Sequence, residues 1–251
     1  MSEDGKDQKN QDVAPQAQRQ PIFLLPTAVT VMCLIFLGIE AVQDFLLNDA
    51  LRSLLLTWLA FLPYRLIDPT HYIGGWYPLI WTPVTNAFLH AGWEHVLLNT
   101  VWFAVFATPM TQRYGAARML LLFVVGAFLG SWAFAITDHG VDEYLVGASG
   151  GIAALTGAAV RFMFQPPVVV EDPDTGERRI AGRNLATIEQ LLTNPQARFF
   201  SLVWIVLNGI VPLLPMLTGG GTSVQIAWQT HLAGFISGLL LVPLLERGHH
   251  D

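Results

Sequence analysis

The stretch Gly147-Ala148-Ser149-Gly150-Gly151 places one serine between glycines at the start of a long apolar segment. The small residues that follow, 152–159, predict a helix that begins close to Ser149. A serine in the first turn of a helix has free backbone N–H groups around it and the positive end of the helix macrodipole beneath it. That environment suits an oxyanion, although glycine and serine are also ordinary at helix starts and at the contact faces of membrane helices.

Composition decides the class of protein. The 251-residue chain is 53% hydrophobic and 13% charged, with a mean hydropathy of +0.46, whereas about a quarter of the residues in a typical soluble domain are charged. The sequence therefore predicts an integral membrane protein. This argues against the soluble α/β-hydrolases, whose Gly-x-Ser-x-Gly elbow the stretch around Ser149 also matches.

Charge and cysteine content exclude other classes. The formal net charge of −6 argues against a nucleic-acid partner, because phosphate binding needs clustered Lys and Arg. The single cysteine, Cys33, excludes an intramolecular disulfide and a cysteine-based metal site. It lies inside an apolar segment, and we interpret it as a packing residue.

Six apolar stretches approach the length of about 20 residues that a membrane helix needs. They are residues 22–39, 87–110, 119–137, 144–160, 199–218 and 225–245. The first part of the second stretch is polar, which indicates a wet cavity or a buried site. Residues 51–62 are too short to span and predict an interfacial helix, with a seventh span as the alternative.

Basic residues predict the orientation. If the first span begins inside, all 13 Lys and Arg except Arg52 and Arg65 lie on the inner side, so both termini are expected in the cytoplasm. The predicted organisation is a disordered tail (1–20), a six-span membrane domain (21–246) with a polar cytoplasmic loop (165–197), and a C-terminus (247–251). Because the tail lacks the features of a targeting peptide, we expect the inner membrane of a bacterium.

A histidine opens the sixth predicted span. An ionisable residue in a membrane span is costly and is a functional candidate by default, although His231 could also be a satisfied structural residue. The fourth and sixth spans run in the same direction, so Ser149 and His231 are expected at the same outer side of the bilayer. Gly234 and Gly238 remove bulk from one face of the sixth helix, and close helix approach would let the histidine reach the serine.

The second span adds hydrogen-bond donors. His95 and Asn99 are four residues apart, hence on one helical face, at the same outer end as the serine and the histidine. Both side chains can donate hydrogen bonds, as an oxyanion hole requires. His90 precedes them; it either orients a loop or binds nothing.

These motifs together resemble the rhomboid family of intramembrane serine proteases, over roughly residues 81–245. The motifs are Gly147-Ala-Ser149-Gly, His231-x-x-Gly234-x-x-x-Gly238 and His90-(four residues)-His95-x-x-x-Asn99. The resemblance implies an all-α bundle of six membrane helices and substrates that are membrane-anchored proteins, cut in or near their transmembrane segment. It implies the following roles: Ser149 as nucleophile, His231 as general base, His95 and Asn99 with backbone N–H groups as oxyanion hole, and Gly147, His90 and Gly234 in support.

Two positions depart from the family pattern. Trp81-Thr82 stands where rhomboids often have Trp-Arg in the first loop, and Thr111 stands where they often have Glu after the second span. Both positions concern the stability of loops rather than the chemistry.

The expected mechanism uses two residues. A neutral imidazole takes the proton of a serine hydroxyl and then protonates the leaving amine. Residues 199–245 contain no Asp or Glu, so we expect a Ser149–His231 dyad without a carboxylate. No cofactor or metal is expected, because His90, Glu94 and His95 match neither zinc-protease helix motif.

Two non-enzymatic alternatives stay open. A rhomboid-like module that binds membrane clients without cleaving them would typically lack the serine or the histidine, and this chain keeps both Ser149 and His231. A transporter or channel would need fixed charges inside the spans, and these are nearly absent.

Overall fold

The computed structural model describes residues 25–138, 140, 142–173, 176–210 and 227–246, so the predicted tail, the C-terminus and the end of the predicted fifth span lie outside it. Most described residues are helical. The helices are α1 (Thr27–Phe45), α2 (Asp49–Leu59), α3 (Thr82–Thr85), α4 (Trp93–Tyr114), α5 (Ala116–Asp138), α6 (Ser149–Met163), α7 (Ile188–Thr193), α8 (Pro195–Ile205), which continues as a π-helical turn (Val206–Ile210), and α9 (Trp228–Glu246). Strands β1 (Pro167–Glu171) and β2 (Arg178–Arg183) pair antiparallel.

In the described part of the chain, three helices are long and apolar enough to cross a membrane by length and composition: α1, α5 and α9. Their outward faces carry large apolar side chains such as Leu34, Ile136 and Leu240, which are 63%, 75% and 61% exposed. Such an apolar surface is suited to contact with lipid, whereas its exposure to water would be unfavourable. The helices therefore have the character of membrane spans.

Helix α6 is the centre of the bundle. Every residue from Gly150 to Phe162 is buried, on all faces of the helix. Its most extensive neighbours are α9 and α5, and α4 also packs on it. Small residues allow this, because an alanine- and glycine-rich helix can be surrounded closely by other helices.

Glycines bring the α6 and α9 backbones into direct contact. A Cβ atom at Gly238 would collide with the Ala154 carbonyl oxygen, and a Cβ atom at Gly157 would collide with the Phe235 carbonyl oxygen. At Gly234 a Cβ atom would strike the Gly150 carbonyl oxygen, one residue after Ser149. The expected close approach of the two helices is therefore present, and it starts beside the predicted nucleophile.

The boundaries of the predicted spans differ from the helices of the structure. The helix of the fourth span, α6, begins at Ser149 rather than at residue 144. Helix α4 begins at Trp93 rather than at residue 87. Gly92, the residue before it, has a φ of +133°, which is not helical. His90 therefore lies in a loop and not on the helix of His95. Helix α1 continues to Phe45, because the side chains of Glu40 and Gln43 are buried and Gln43 Nε2 donates to Glu40 Oε2 at 3.2 Å.

The all-α prediction is corrected in the polar loop 165–197, where β1 and β2 form a hairpin. Three consecutive β-branched valines, 168–170, favour a strand. Gly176, with φ +68°, supplies the left-handed conformation in the connection. In the same connection the Gly176 N–H donates to the Asp172 carbonyl at 2.9 Å. After the hairpin the chain forms the short helix α7.

Arg65 organises the first outer loop. Its guanidinium is fully buried and donates to the backbone carbonyls of Thr57 (2.8 Å), Ile73 (3.1 Å) and Gly75 (2.7 Å). Burial lowers the pKa of Arg65, which still carries its charge at neutral pH. Arg65 thus ties the end of α2 to the loop that follows it, a role that the sequence did not reveal.

We predict that Gly238→Ala lowers the free energy of unfolding by about 1–3 kcal/mol, the typical cost of overpacking. The added methyl group would force α9 away from the Ala154 carbonyl. Thermal unfolding in detergent measures the effect. Gly38→Ala is the matched control, because a Cβ atom at this helical glycine would meet nothing within 4 Å; a similar loss in both variants would contradict the proposed contact.

Arg65→Met is expected to destabilise the first loop by at least about 1–3 kcal/mol, the cost of leaving one buried acceptor without its donor. Faster limited proteolysis within residues 60–80 would report the loosened loop. Arg52→Met is the control, since Arg52 on α2 donates none of these hydrogen bonds. Equal proteolysis of the two variants would contradict the role of Arg65.

Candidate functional site

Ser149 is the first residue of α6. The preceding residue, Ala148, has no side chain that could cap the helix, and its carbonyl accepts the first intrahelical hydrogen bond, from Ile152 at 3.0 Å. The backbone N–H groups of the first turn are therefore left without a cap. Ser149 is half-buried, so its hydroxyl lies at the edge of the bundle rather than inside it.

The chain before Ser149 is held by backbone hydrogen bonds. Leu145 exchanges two with Phe61, at 2.9 and 3.1 Å, and the Gly147 N–H donates to the Asn86 carbonyl at 3.0 Å. The Asn86 side chain is buried and donates to Ser131 Oγ at 2.9 Å, which links this loop to α5. Three separate elements thus fix the backbone that leads into the serine.

Gly147 brings the second span to the serine. Its φ of +125° is accessible to glycine and costly for other residues. A Cβ atom at this position would lie 2.8 Å from Cε1 and 2.9 Å from Nε2 of His95, and 3.7 Å from Nδ2 of Asn99. His95 and Asn99, one turn apart on α4, therefore both face the backbone two residues before Ser149.

Both side chains present donors there. The Ala91 N–H donates to His95 Nδ1 at 3.4 Å, so in the neutral imidazole the proton is assigned to Nε2, the atom near Gly147. Asn99 is 6% exposed, and its Nδ2 is buried without a hydrogen-bond partner among the described residues. Buried donors without partners are rare in folded proteins, and they are expected where a ligand completes them.

The first turn of α9 places His231. Thr230, the preceding residue, lies against Gly150: a Cβ atom at Gly150 would be 2.8 Å from Thr230 Cγ2. Ser149 and His231 are thus sequence neighbours of two residues that touch. Among the described residues no hydrogen bond joins the serine to the histidine, and catalytic hydrogen bonds are often long before substrate binds.

His231 faces α8 and its π-helical continuation. The imidazole lies beside the backbone of Asn208, and its Nδ1 atom is buried without a partner in the described part of the chain. One turn further, Phe235 stacks on Trp204 with ring centroids 4.4 Å apart. A π-helical turn against a candidate catalytic residue is a common functional arrangement.

His90 is buried behind His95. It is 1% exposed, its ring stands edge-on to the His95 ring at 5.2 Å, and it packs against Phe36 at 5.7 Å. Both of its nitrogens lack partners among the described residues. Its place beside His95 gives it a supporting position rather than contact with Ser149.

A metal site receives no support from the described residues. They contain no group of three His, Cys, Asp or Glu side chains that could hold an ion. Glu94, the acid of the tempting His90–Glu94–His95 cluster, is exposed at the start of α4.

Two residues near the site were not singled out from the sequence. Asn86 anchors the loop before Ser149, and Thr230 fills the space beside Gly150. A polar residue in the apolar stretch 83–89 was a signal for Asn86. Thr230 had no comparable signal, because its importance depends on which helix face meets α6.

Comparison with known proteins agrees with this geometry. The Rhomboid domain family matches residues 78–176, a segment that contains His90, His95, Asn99 and Ser149. The chain is 38% identical over 79 residues to rhomboid-related protein 3 from Homo sapiens, which covers 32% of this chain and 19% of the human protein.

Two bacterial proteins are similar over a larger share of the chain. Rhomboid protease GlpG from Serratia proteamaculans is 28% identical over 177 residues, 70% of this chain and 52% of that protein. Rhomboid protease GlpG from Yersinia enterocolitica is 27% identical over 218 residues, 86% of this chain and 61% of that protein. The chain spans less than two thirds of the length of these relatives. With its apolar helices, the chain is an integral membrane protein, and its residues 78–176 match the Rhomboid domain family.

Proposed function

We propose that this chain is an intramembrane serine endopeptidase that cleaves membrane-anchored proteins in or near their transmembrane segment. The observation that carries the proposal is the convergence of donors on the backbone ahead of Ser149. His95 Nε2 and Asn99 Nδ2 both face Gly147, and Asn99 Nδ2 has no partner among the described residues. The similarity to proteins named rhomboid protease GlpG supports the same reaction class.

Ser149 is the proposed nucleophile and His231 the proposed general base. His231 takes the hydroxyl proton while Oγ forms a bond to the scissile carbonyl carbon. The resulting tetrahedral intermediate collapses, the carbon–nitrogen bond breaks, and His231 returns the proton to the leaving amine. Water, activated by the same imidazole, then hydrolyses the acyl-enzyme and regenerates Ser149.

His95, Asn99 and the first turn of α6 form the proposed oxyanion hole. The uncapped backbone N–H groups of that turn point toward the residue that begins it. Two side-chain donors from α4, His95 Nε2 and Asn99 Nδ2, face the neighbouring Gly147 backbone. Donors fixed before the reaction stabilise the developing negative charge without reorganisation, which is commonly the largest catalytic contribution.

The proposed membrane arrangement has six spans with both termini in the cytoplasm. Helices α1, α5 and α9 supply three, α4 at 22 residues is also long enough, and α6 is short because other helices enclose it. The fifth is the segment that begins with α8 and continues outside the described residues. The distribution of basic residues supports this orientation, and we place the protein in the inner membrane of a bacterium.

Labelling with a fluorophosphonate tests the nucleophile directly. The wild-type protein in detergent is expected to be labelled, whereas Ser149→Ala and His231→Ala are expected to lose the label, because one lacks the nucleophile and the other its base. Both variants should keep the thermal unfolding of the wild type.

Cleavage of a reconstituted transmembrane substrate completes this test, with Ser53→Ala, an exposed serine on α2, as control. Undiminished cleavage by Ser149→Ala would refute the assignment. A folded wild type that neither cleaves nor reacts with a probe shown to enter the site would favour the client-binding module.

Asn99→Ala is expected to lower kcat by about 10²–10³-fold, the scale for one lost oxyanion donor. The fall should appear in kcat rather than in KM, because the donor acts on charge that develops in the transition state. Thr108→Ala, on the same helix but hydrogen-bonded to the Ala104 carbonyl, is the control. An unchanged kcat in Asn99→Ala would assign this residue to packing.

A further inference from the structure

We propose that Asp138 is a positioning residue that acts through Gln229 to hold the first turn of α9, and with it His231, at the nucleophile. This inference rests on the proposed function. Asp138 is the last residue of α5 and belongs to none of the motifs that identified the site. Asp138 contacts Gln229, which lies two positions before His231.

The contact is a hydrogen bond between a carboxylate and a buried amide. Gln229 Nε2 donates to Asp138 Oδ2, and Thr137 Oγ1 donates to the same oxygen at 2.7 Å. Gln229 is 9% exposed, so its amide is withdrawn from solvent. Hydrogen bonds to an ionised group are stronger than those between neutral groups, especially where water is excluded.

A second contact fixes the same turn. Thr230 Oγ1 donates to the Gly130 carbonyl at 3.2 Å, and its methyl group fills the space that a side chain at Gly130 or Gly150 would occupy. Two adjacent residues of α9 are therefore fastened to α5, two turns of helix apart. This arrangement restrains both the rotation of α9 about its axis and its movement along that axis.

The carboxylate does not act on the imidazole directly. Residues i and i+2 of a helix do not face each other, so Gln229 points to α5 while His231 faces Asn208. Residues 199–245 contain no Asp or Glu. The acid on the helix of His231 is Glu246, at the opposite end of α9, where it pairs with Arg113. Asp138 supplies an acid from another helix, as an anchor rather than as a member of a catalytic triad.

The test compares Asp138→Ala, Asp138→Asn, Gln229→Met and the double variant Asp138→Ala/Gln229→Met in the full-length protein. Asp138→Ala and Gln229→Met are each expected to lower kcat by about 10- to 100-fold with little change in KM, as expected when a catalytic group is misplaced by about 1 Å. Asp138→Asn keeps an acceptor oxygen and should retain most of kcat. The double variant should be no slower than either single variant, because all three variants lose the same hydrogen bond between residues 138 and 229.

Labelling by a fluorophosphonate separates positioning from misfolding. A misplaced His231 lowers the rate of labelling but not the final fraction of labelled protein, whereas partial unfolding lowers the final fraction. Glu143→Ala, which removes an exposed acid from the same outer segment, is the matched control and should label at the wild-type rate.

Two results would overturn the inference in an active wild type: an Asp138→Ala variant with unchanged kcat and labelling rate, or effects of Asp138→Ala and Gln229→Met that multiply fully in the double variant. A loss confined to the final labelled fraction would likewise assign Asp138 to folding alone. A wild type that neither cleaves nor labels would refute the proposed function itself, and this outcome is distinct from the others.

Discussion

The backbone contact between α6 and α9 is the constraint on which the rest of the structure depends. Apolar helices gain little from being apolar in lipid, so they associate through close packing, and close packing requires small residues. At Gly157, Gly234 and Gly238 any side chain would collide with a carbonyl of the facing helix. Because this contact continues to Gly150, it places the start of α9 beside the start of α6.

The site contains buried polar groups that the fold holds in place without giving them a hydrogen-bond partner among the described residues. Asn99 Nδ2 and His231 Nδ1 are buried and have no partner among the described residues, and each such group costs about 1–3 kcal/mol. Elements with no chemical role stabilise this arrangement. Asn86 fixes the loop before the serine, and the C-terminal ends of α4 and α9 are joined by the Arg113–Glu246 ion pair at 2.8 Å. Packing elsewhere offsets the cost of polar groups kept free for a substrate.

Local patterns were the predictable part of the fold. Small residues after Ser149 indicated a helix that begins at that residue, and α6 does so. The spacing of His95 and Asn99 indicated one helical face, and both side chains meet Gly147. The polar loop 165–197 was not recognised as a hairpin, because its charged residues concealed the valine run of β1. His90 was placed on a helix that begins only at Trp93.

By itself, the sequence determined the class of protein, the approximate helices and the identity of the candidate nucleophile and base, since composition and helical spacing are local properties of the chain. Only the tertiary structure decided which distant groups support them. Arg65 meets carbonyls of its own loop, Asn86 meets Gly147, and Asp138 meets Gln229 across 91 positions of sequence. Such partners depend on how the helices are rotated and set against one another, and that is decided by the packing of the whole bundle.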